Sequence, residues 1–222
     1  MVRRSVRIVL AAVLAAVTFA ALTTPAGAAD AKWMVRLRAI GLVMSNVSDA
    51  GEGALTPTLL PEDAVSVNNK VIPDLNVSYF FTKNLSAELV LTYPQEQDVE
   101  ITEGPLKEEI GTFKHLPPTL TLQYRFLPEG KFQPYIGAGV NLTLISDVKL
   151  HSDAAGADLD LEDSSIGAAI GAGADVPLQN NWFFNVDVKK VWIGSDVLVG
   201  GDKVGHASLD PILVGAGIGI RF

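Results

Sequence analysis

Nine charged side chains recur along the chain, several of them two residues apart, and such groups can either neutralise one another or conduct ions. Arg36 and Arg38 are one such pair, and Asp187 and Lys189 are another. The candidates are Arg36, Arg38, Asp74, Glu88, Arg125, Asp175, Asp187, Lys189 and Arg221. Because an unpaired buried charge costs several kcal/mol, five cations and four anions confined together should pair into a plug. A proton or ion path through the same groups is the alternative.

Metal binding and catalysis are the other chemistries that the residue types allow. His115, His151 and His206 lie on different segments without metal-ligand spacing, so no metal and no other cofactor is predicted. The acidic stretch SDAAGADLDLEDSS lacks the spacing and central glycine of an EF-hand, which favours a solvated loop over a calcium site. A lipid-modifying enzyme would need His115 beside a loop serine, and no pattern brings the two together. The chain is therefore predicted not to be an enzyme.

The first residues are typical of an export signal. Three arginines precede an uncharged, mostly apolar run over residues 8–22, and Ala26-Gly27-Ala28 supplies a cleavage site of the A-x-A type. The run is shorter than the roughly 18 apolar residues of a membrane-spanning helix. We therefore expect residues 1–28 to be a cleaved signal peptide and residues 29–222 to form one exported domain.

Charge and composition narrow the partners and the source of stability. Without the signal, fourteen basic residues face twenty-five acidic ones, and a net charge of −11 argues against nucleic acid as a partner. There is no cysteine, so disulfides contribute nothing. The mean hydropathy of +0.29 is high although no second long apolar run exists, which indicates that apolar residues are distributed by alternation.

Alternation of apolar and polar residues identifies the elements that must position these groups. In TLTLQYRF, residues 119–126, leucine and aromatic side chains alternate with Thr, Gln and Arg. Side chains in a strand point to opposite faces in turn, so this stretch has one apolar and one polar face. Comparable segments occur eight times, from the one that begins at Trp33 to the one that ends at Phe222.

The connections between these segments alternate in length. Residues 82–84, LPEGK and PLQNN are tight turns, whereas the long connections are residues 46–68, 100–116, 151–163 and 195–205. The pattern predicts an all-β fold, an eight-stranded antiparallel transmembrane β-barrel with short periplasmic turns and long extracellular loops. A soluble barrel is the alternative, with its polar face outward.

Aromatic residues favour the membrane barrel over the soluble one. They cluster at the short-turn ends of the strands, where an interfacial girdle is expected. The residues assigned to this girdle are Trp33, Tyr79, Phe80, Phe81, Tyr124, Phe126, Tyr135, Trp182, Phe183, Phe184 and Phe222.

Strand parity also predicts an apolar upper lumen. Ile40 and Leu42 continue the inward parity of the arginines on the first strand, and Leu209 and Leu213 continue that of Arg221 on the last. An apolar space over a charged floor would admit a hydrophobic molecule and then stop it. The alternative is that these residues only pack under the loops.

Prolines indicate where such a molecule could leave. If Leu85 lies near Phe126, then Pro94 falls opposite Pro117, with Pro118 beside it. Proline donates no hydrogen bond to a strand ladder, so this seam would be interrupted from both sides and could open laterally. The alternative is that the prolines merely end two strands at the membrane surface.

Three motifs resemble the OmpW/AlkL family. They are HLPPTL from His115 to Leu120, FQPYIGAGVNLT from Phe132 to Thr143, and LDP followed by the glycine-alternating strand to RF. The resemblance implies a small eight-stranded barrel of the bacterial outer membrane, in a family associated with passage of small hydrophobic molecules. Phe222 at the end of the last strand also resembles the signal by which such proteins reach their insertion machinery.

The expected function is therefore passive uptake of small hydrophobic molecules, which enter the upper lumen and leave laterally into the membrane. The expected partners are outer-membrane lipid, lipopolysaccharide, the hydrophobic cargo and the insertion machinery. The alternative function is a structural or surface-interaction barrel without transport, whose loops bind partners or stabilise the envelope.

Overall fold

The chain folds into strands joined by turns. A computed structural model describes residues 31–50, 61–153 and 156–222, and the predicted signal peptide, residues 1–28, lies outside the described residues. The strands are β1 (Trp33–Val43), β2 (Val47–Ser48), β3 (Val65–Val67), β4 (Lys70–Phe80), β5 (Leu85–Leu91), β6 (Gln95–Ile101), β7 (Glu108–Leu116), β8 (Thr119–Arg125), β9 (Gln133–Ser152), β10 (Ala157–Leu161), β11 (Ser164–Pro177), β12 (Trp182–Val191), β13 (Gly194–Val199), β14 (Asp202–Ser208) and β15 (Ile212–Arg221). No helix within these ranges is long and apolar enough to cross a membrane.

Eight of the strands close into an antiparallel barrel, as predicted. The order around the wall is β1, β4, β5, β8, β9, β11, β12 and β15, and β15 pairs with β1 to complete the ring. Trp33 and Phe222 exchange backbone hydrogen bonds of 2.9 and 2.8 Å across this closing pair. Closure leaves no unpaired sheet edge around the ring.

The alternation in β8 gives the wall its two faces. Leu120, Leu122 and Tyr124 are about half exposed on the outside, whereas Thr121 and Gln123 are buried inside. The same parity holds in β15, where glycines occupy inward positions. A Cβ added at Gly217 would lie 2.1 Å from the Leu37 carbonyl oxygen, so only glycine fits there. The barrel therefore presents an apolar belt outward and polar groups inward.

The wall continues beyond this belt, because the long connections between the eight barrel strands themselves form strands. The remaining strands extend the sheet, and β9 runs through both levels over 20 residues. In β6 the polarity of the faces is reversed. Glu96 and Asp98 point outward, while Val99 and Ile101 are buried inside. Acidic residues outside and apolar residues inside are the pattern of a wall that faces water.

Three aromatics of the predicted girdle point inward instead. Phe80, Tyr135 and Phe183 are 2%, 2% and 8% exposed, and Phe80 and Phe183 pack with Met34 at the short-turn end of the lumen. Phe80 has the parity of Ser78 and Asp74, which are also buried inside. The girdle at this rim therefore comes from the outward aromatics, among them Trp33 and Trp182.

Candidate functional site

A network of paired charges fills the lower lumen. Its centre is Asp175, on β11, which accepts hydrogen bonds from Nε and Nη2 of Arg36 at 3.0 and 2.6 Å. Nη2 of Arg125 lies 2.7 Å from the same carboxylate. Both arginines and Asp175 are buried. One anion thus bridges two cations that project from β1 and β8, on different parts of the ring.

A second group of pairs lies beside the first. Arg38 donates to Asp74 through Nε and Nη2 at 3.1 and 2.8 Å, and its Nη1 lies 3.2 Å from Asp187. Lys189 donates to Glu88 at 2.8 Å. Glu88 also lies 3.3 Å from Nη1 of Arg36, which connects the two groups. Four of the predicted cations and all four predicted anions therefore come together in one network.

Arg221 does not pair with these carboxylates, contrary to the prediction. Its Nε donates to the Ala31 carbonyl at 2.9 Å, and its guanidinium lies 3.9 Å from the centroid of the Phe80 ring. Its position one residue before the closing Phe222 places it at the rim. Arg221 therefore covers the periplasmic end of the network instead of joining it.

Tyr135 completes the network and was not predicted from the sequence as a lumen residue. Its hydroxyl donates to Asp187 at 3.0 Å and accepts from Asn185 at 3.0 Å. A Cβ added at Gly173 would lie 2.4 Å from that hydroxyl, so glycine is required opposite the ring. The paired charges of the network and the Tyr135 ring therefore fill the lower lumen and close it with side chains.

The upper lumen is apolar. Ile40, Leu42, Leu209 and Leu213 are each less than 10% exposed, and all four belong to one continuous apolar cluster. The cluster continues into the extended wall, where a cavity with about 630 Å³ of empty volume, part of it open to solvent, is lined by residues such as Ile101, Phe113 and Leu159. These upper residues were missed because their segments were assigned to loops.

A second, smaller cavity, the lower cavity, lies between the apolar cluster and the charged network. It has about 410 Å³ of empty volume, part of it open to solvent, and is lined by Ile40, Leu42 and Leu213 above and by Lys189 below. Val90 and Pro117, from the two strands of the proline seam, line the same cavity. The lumen thus passes from an apolar mouth to a charged floor, with one seam of the wall at the transition.

The register of that seam differs from the prediction by two residues. Leu85 pairs with Tyr124, not Phe126, and the β5–β8 ladder ends at Val90 and Thr119. Pairing resumes between β6 and β7 at Gln95 and His115. Pro94 therefore faces the region of His115 and not Pro117. The interruption itself is present, because no ladder pair joins residues 91–94 to residues 116–118, all of which the structure describes.

The two consecutive prolines contribute differently to this interruption. The Pro118 carbonyl accepts a hydrogen bond from the Leu142 amide at 3.0 Å, so its backbone groups face β9, on the intact side. The Arg125 amide donates to the Asn84 carbonyl across the seam. Alternation along β8 therefore directs the Pro117 nitrogen, which has no hydrogen, toward the seam. Pro118 therefore lies within the interruption, but its missing backbone donor removes no hydrogen bond from the seam.

Charged groups outside the barrel tie the extended wall together. Asp196 lies 2.6 Å from Nδ1 of His206 and 3.0 Å from the Lys203 ammonium. The hydrogen bond from His206, reinforced by Lys203, lowers the pKa of the Asp196 carboxyl. In residues 31–50, 61–153 and 156–222, no group of three or more His, Asp or Glu side chains is arranged to hold a metal ion.

Comparison with known proteins gives consistent matches. The model of the OmpW family matches residues 32–222. The chain is 39% identical over 199 residues to the uncharacterised outer-membrane protein y4mB of Sinorhizobium fredii, covering 86% of this chain and 80% of that protein. It is 34% identical to outer membrane protein W of Escherichia coli, covering 71% of this chain and 76% of that protein. The crystal structure of OprG from Pseudomonas aeruginosa superimposes with a TM-score of 0.77 at 26% identity, covering 88% and 98% of the two chains.

Proposed function

Because the chain belongs to the OmpW family of outer-membrane proteins, we propose that it provides a passive pathway for small hydrophobic molecules across the outer leaflet and its lipopolysaccharide. The protein binds cargo transiently and catalyses no reaction. The observation that carries the proposal is the division of the lumen, apolar above and charged below.

The apolar upper lumen supplies the entry. A hydrophobic molecule that leaves water for this space gains about 25 cal/mol for each Å² of apolar surface that it buries. The charged network below blocks further passage. Its charged side chains are already paired with one another and would lose these partners if cargo moved between them. A captured molecule therefore needs a lateral exit.

The interrupted seam supplies that exit. Residues 91–94 and 116–118, which do not pair with each other across the seam, adjoin the lower cavity, which Val90 and Pro117 line. The outward side chain of Tyr93, within the interruption, is 44% exposed, as expected near the outer surface of the membrane. Each ladder bond forgone at the seam is worth about 1 kcal/mol, so this part of the wall should open more readily than a paired part.

The direct test is uptake of a hydrophobic dye by cells whose own family member has been deleted. Cells that express this protein should take up the dye faster than cells with an empty vector. In planar bilayers the purified barrel should give no steady ion current, because the charged network closes the lumen. Steady ohmic current without accelerated dye uptake would contradict the proposal.

A disulfide across the seam should abolish uptake. Extending the β5–β8 register by one residue puts Leu91 opposite Pro118, within the interruption. In the Leu91→Cys/Pro118→Cys variant, oxidation to the disulfide should lower dye uptake to the level of cells without the protein. Reduction of the disulfide should restore uptake. The control pair, Ser86→Cys/Gln123→Cys, bridges the same strands lower down, where they are already paired, and should transport in both states. Unchanged uptake by the oxidised seam variant would exclude this exit.

Replacing the seam prolines provides an independent test. Pro94→Ala/Pro117→Ala restores two backbone donors and should reduce dye uptake while the barrel remains folded. Pro118→Ala is the matched control, since the backbone of Pro118 faces β9. If the double variant transports as well as the parent, the prolines only end the strands.

A surface-interaction barrel remains the second candidate, and the acidic outer face of β6 favours it. Lipid, lipopolysaccharide and the insertion machinery, reached through Phe222, are proposed partners under either function. Normal dye uptake in the deletion host combined with a loss of envelope integrity would support this second candidate over transport.

A further inference from the structure

Two polar side chains that line the lower cavity each have one polar atom without a hydrogen-bond partner in the described part of the chain, although the other polar side chains of the lining are satisfied. Thr92 and His115 both line this cavity and are 7% and 1% exposed. Within the described ranges, neither Oγ1 of Thr92 nor Nδ1 of His115 has a hydrogen-bond partner. Buried polar atoms without partners are uncommon in folded proteins, so these two need an explanation.

The other polar side chains that line this cavity all have hydrogen-bond partners. Thr119 donates from Oγ1 to the Pro117 carbonyl at 3.2 Å, and Asn141 donates from Nδ2 to Thr119 at 2.9 Å. Lys189 donates to Glu88 at 2.8 Å. Thr92 and His115 are therefore the polar groups of this lining that are available to a ligand.

Both groups lie at the interrupted seam. Thr92 lies between β5 and β6, in the stretch that does not pair across the seam, and His115 on β7 is the residue at which pairing across the seam resumes. A molecule that moves from the cavity into the seam must pass these two side chains. We infer that the cargo carries an uncharged hydroxyl-type head group on an apolar body, and that Thr92 and His115 bind this head group at the exit. The inference rests on the proposed transport function.

The hydrogen-bonding capacity of the two side chains selects this class. Nε2 of His115 lies 3.1 Å from Nε2 of Gln97, and if the Gln97 amide donates, the imidazole proton is on Nδ1. With the opposite amide orientation Nδ1 is an acceptor instead. An alcohol suits either state, because a hydroxyl both donates and accepts, and the Thr92 hydroxyl has the same versatility.

Charged and wholly apolar molecules suit the cavity less well. A carboxylate would need a cation, and Lys189, the cation of the lining, is already paired with Glu88. An alkane would leave Oγ1 of Thr92 and Nδ1 of His115 without hydrogen-bond partners. An alcohol that enters the cavity exchanges its hydrogen bonds with water for bonds to these side chains, so loss of its hydration is compensated.

The test compares uptake of radiolabelled 1-decanol, decane and decanoate by the deletion host. Initial rates are taken below saturation and divided by the amount of folded barrel, measured from its heat-modifiable migration on gels. The parent should accelerate 1-decanol more than decanoate. Thr92→Val, which replaces a hydroxyl with a methyl group of similar size, should lower the ratio of 1-decanol uptake to decane uptake about 5-fold or more. Thr92→Ser is the matched control and should retain the parent rate for 1-decanol.

A second variant keeps the test decisive if Thr92→Val folds poorly. His115→Leu should show the same selective loss for 1-decanol, and His115→Gln, which keeps a donor and an acceptor, should restore it. Equal losses for 1-decanol and decane in both variants, or no loss in either, would overturn the inference and leave the proposed function standing. If the parent accelerates none of the three compounds, the proposed function itself fails, and the inference with it.

Discussion

Asp175→Ala is expected to reduce the free energy of unfolding by roughly 3–5 kcal/mol, the cost of removing one partner of a buried ion pair. Asp175 is completely buried and is shared by Arg36 and Arg125 at 2.6 and 2.7 Å. Removing this carboxylate leaves two guanidinium groups facing each other in the lumen. The remaining anion near Arg36 is Glu88 at 3.3 Å, which also holds Lys189.

Urea unfolding of the barrel in lipid vesicles measures this effect. Glu129→Ala is the control, since it removes the exposed ion pair with Lys83 and should leave stability unchanged within error. Asp175→Asn keeps the side-chain volume and removes the charge, so it separates loss of packing from loss of charge. If Asp175→Ala lowered the free energy of unfolding as little as Glu129→Ala, water would have to reach the lower lumen, and the network would not close it.

Val140→Arg is expected to destabilise the folded barrel in bilayers by roughly 2–4 kcal/mol, the cost of arginine on the lipid face near the midplane. Val140 is 58% exposed and lies on the outward face of β9, within the apolar belt. The penalty arises because the guanidinium must leave water or distort the bilayer to reach it.

The same strand offers a matched control for this second effect. Ser146 is also outward and exposed on β9, but it lies beyond the belt and beside Lys114 of the extended wall. Ser146→Arg should therefore cost far less than Val140→Arg in the same vesicle assay. Equal costs at the two positions would mean that the lipid-facing belt extends further along β9 than its residue pattern indicates.

Alternation was sufficient to predict the membrane part of the fold. Each of the eight closing strands has a period of two that is enforced by lipid on one side and a crowded lumen on the other, as in β8. The same parity identified eight of the nine predicted plug residues as members of one network. Arg221 differs because, at the end of its strand, the rim offers it a carbonyl and an aromatic ring.

The extended wall was missed for a definite physical reason. The membrane pattern has apolar residues outside and polar residues inside, whereas β6 has acidic residues outside and buried Val99 and Ile101 inside, because its outer face meets water. Burial alternates along the whole stretch from Gln95 to Ile101, but in the sequence only its last residues, Val99 to Ile101, alternate between apolar and polar. A pattern whose polarity reverses beyond the belt predicts this strand end and the apolar cavity behind it.

The register of the seam could not be predicted from the residues alone. β5 and β8 are connected through the long hairpin of β6 and β7, so no tight turn fixes their alignment. The prediction aligned their short-turn ends by assumption and erred by two residues. The sequence could not predict that Oγ1 of Thr92 and Nδ1 of His115 lack hydrogen-bond partners among the described residues, because this depends on which atoms the neighbouring strands bring close.

The length of β9 determines how far the protein stands above the membrane. Its 20 residues span about 66 Å along the strand, at about 3.3 Å per residue. With the tilt of about 40° usual in such barrels this is about 50 Å of height, twice the apolar belt of about 25 Å. The mouth therefore opens about 25 Å beyond the apolar belt. Under the proposed function, a captured molecule would cover that distance inside the apolar lumen and not in water.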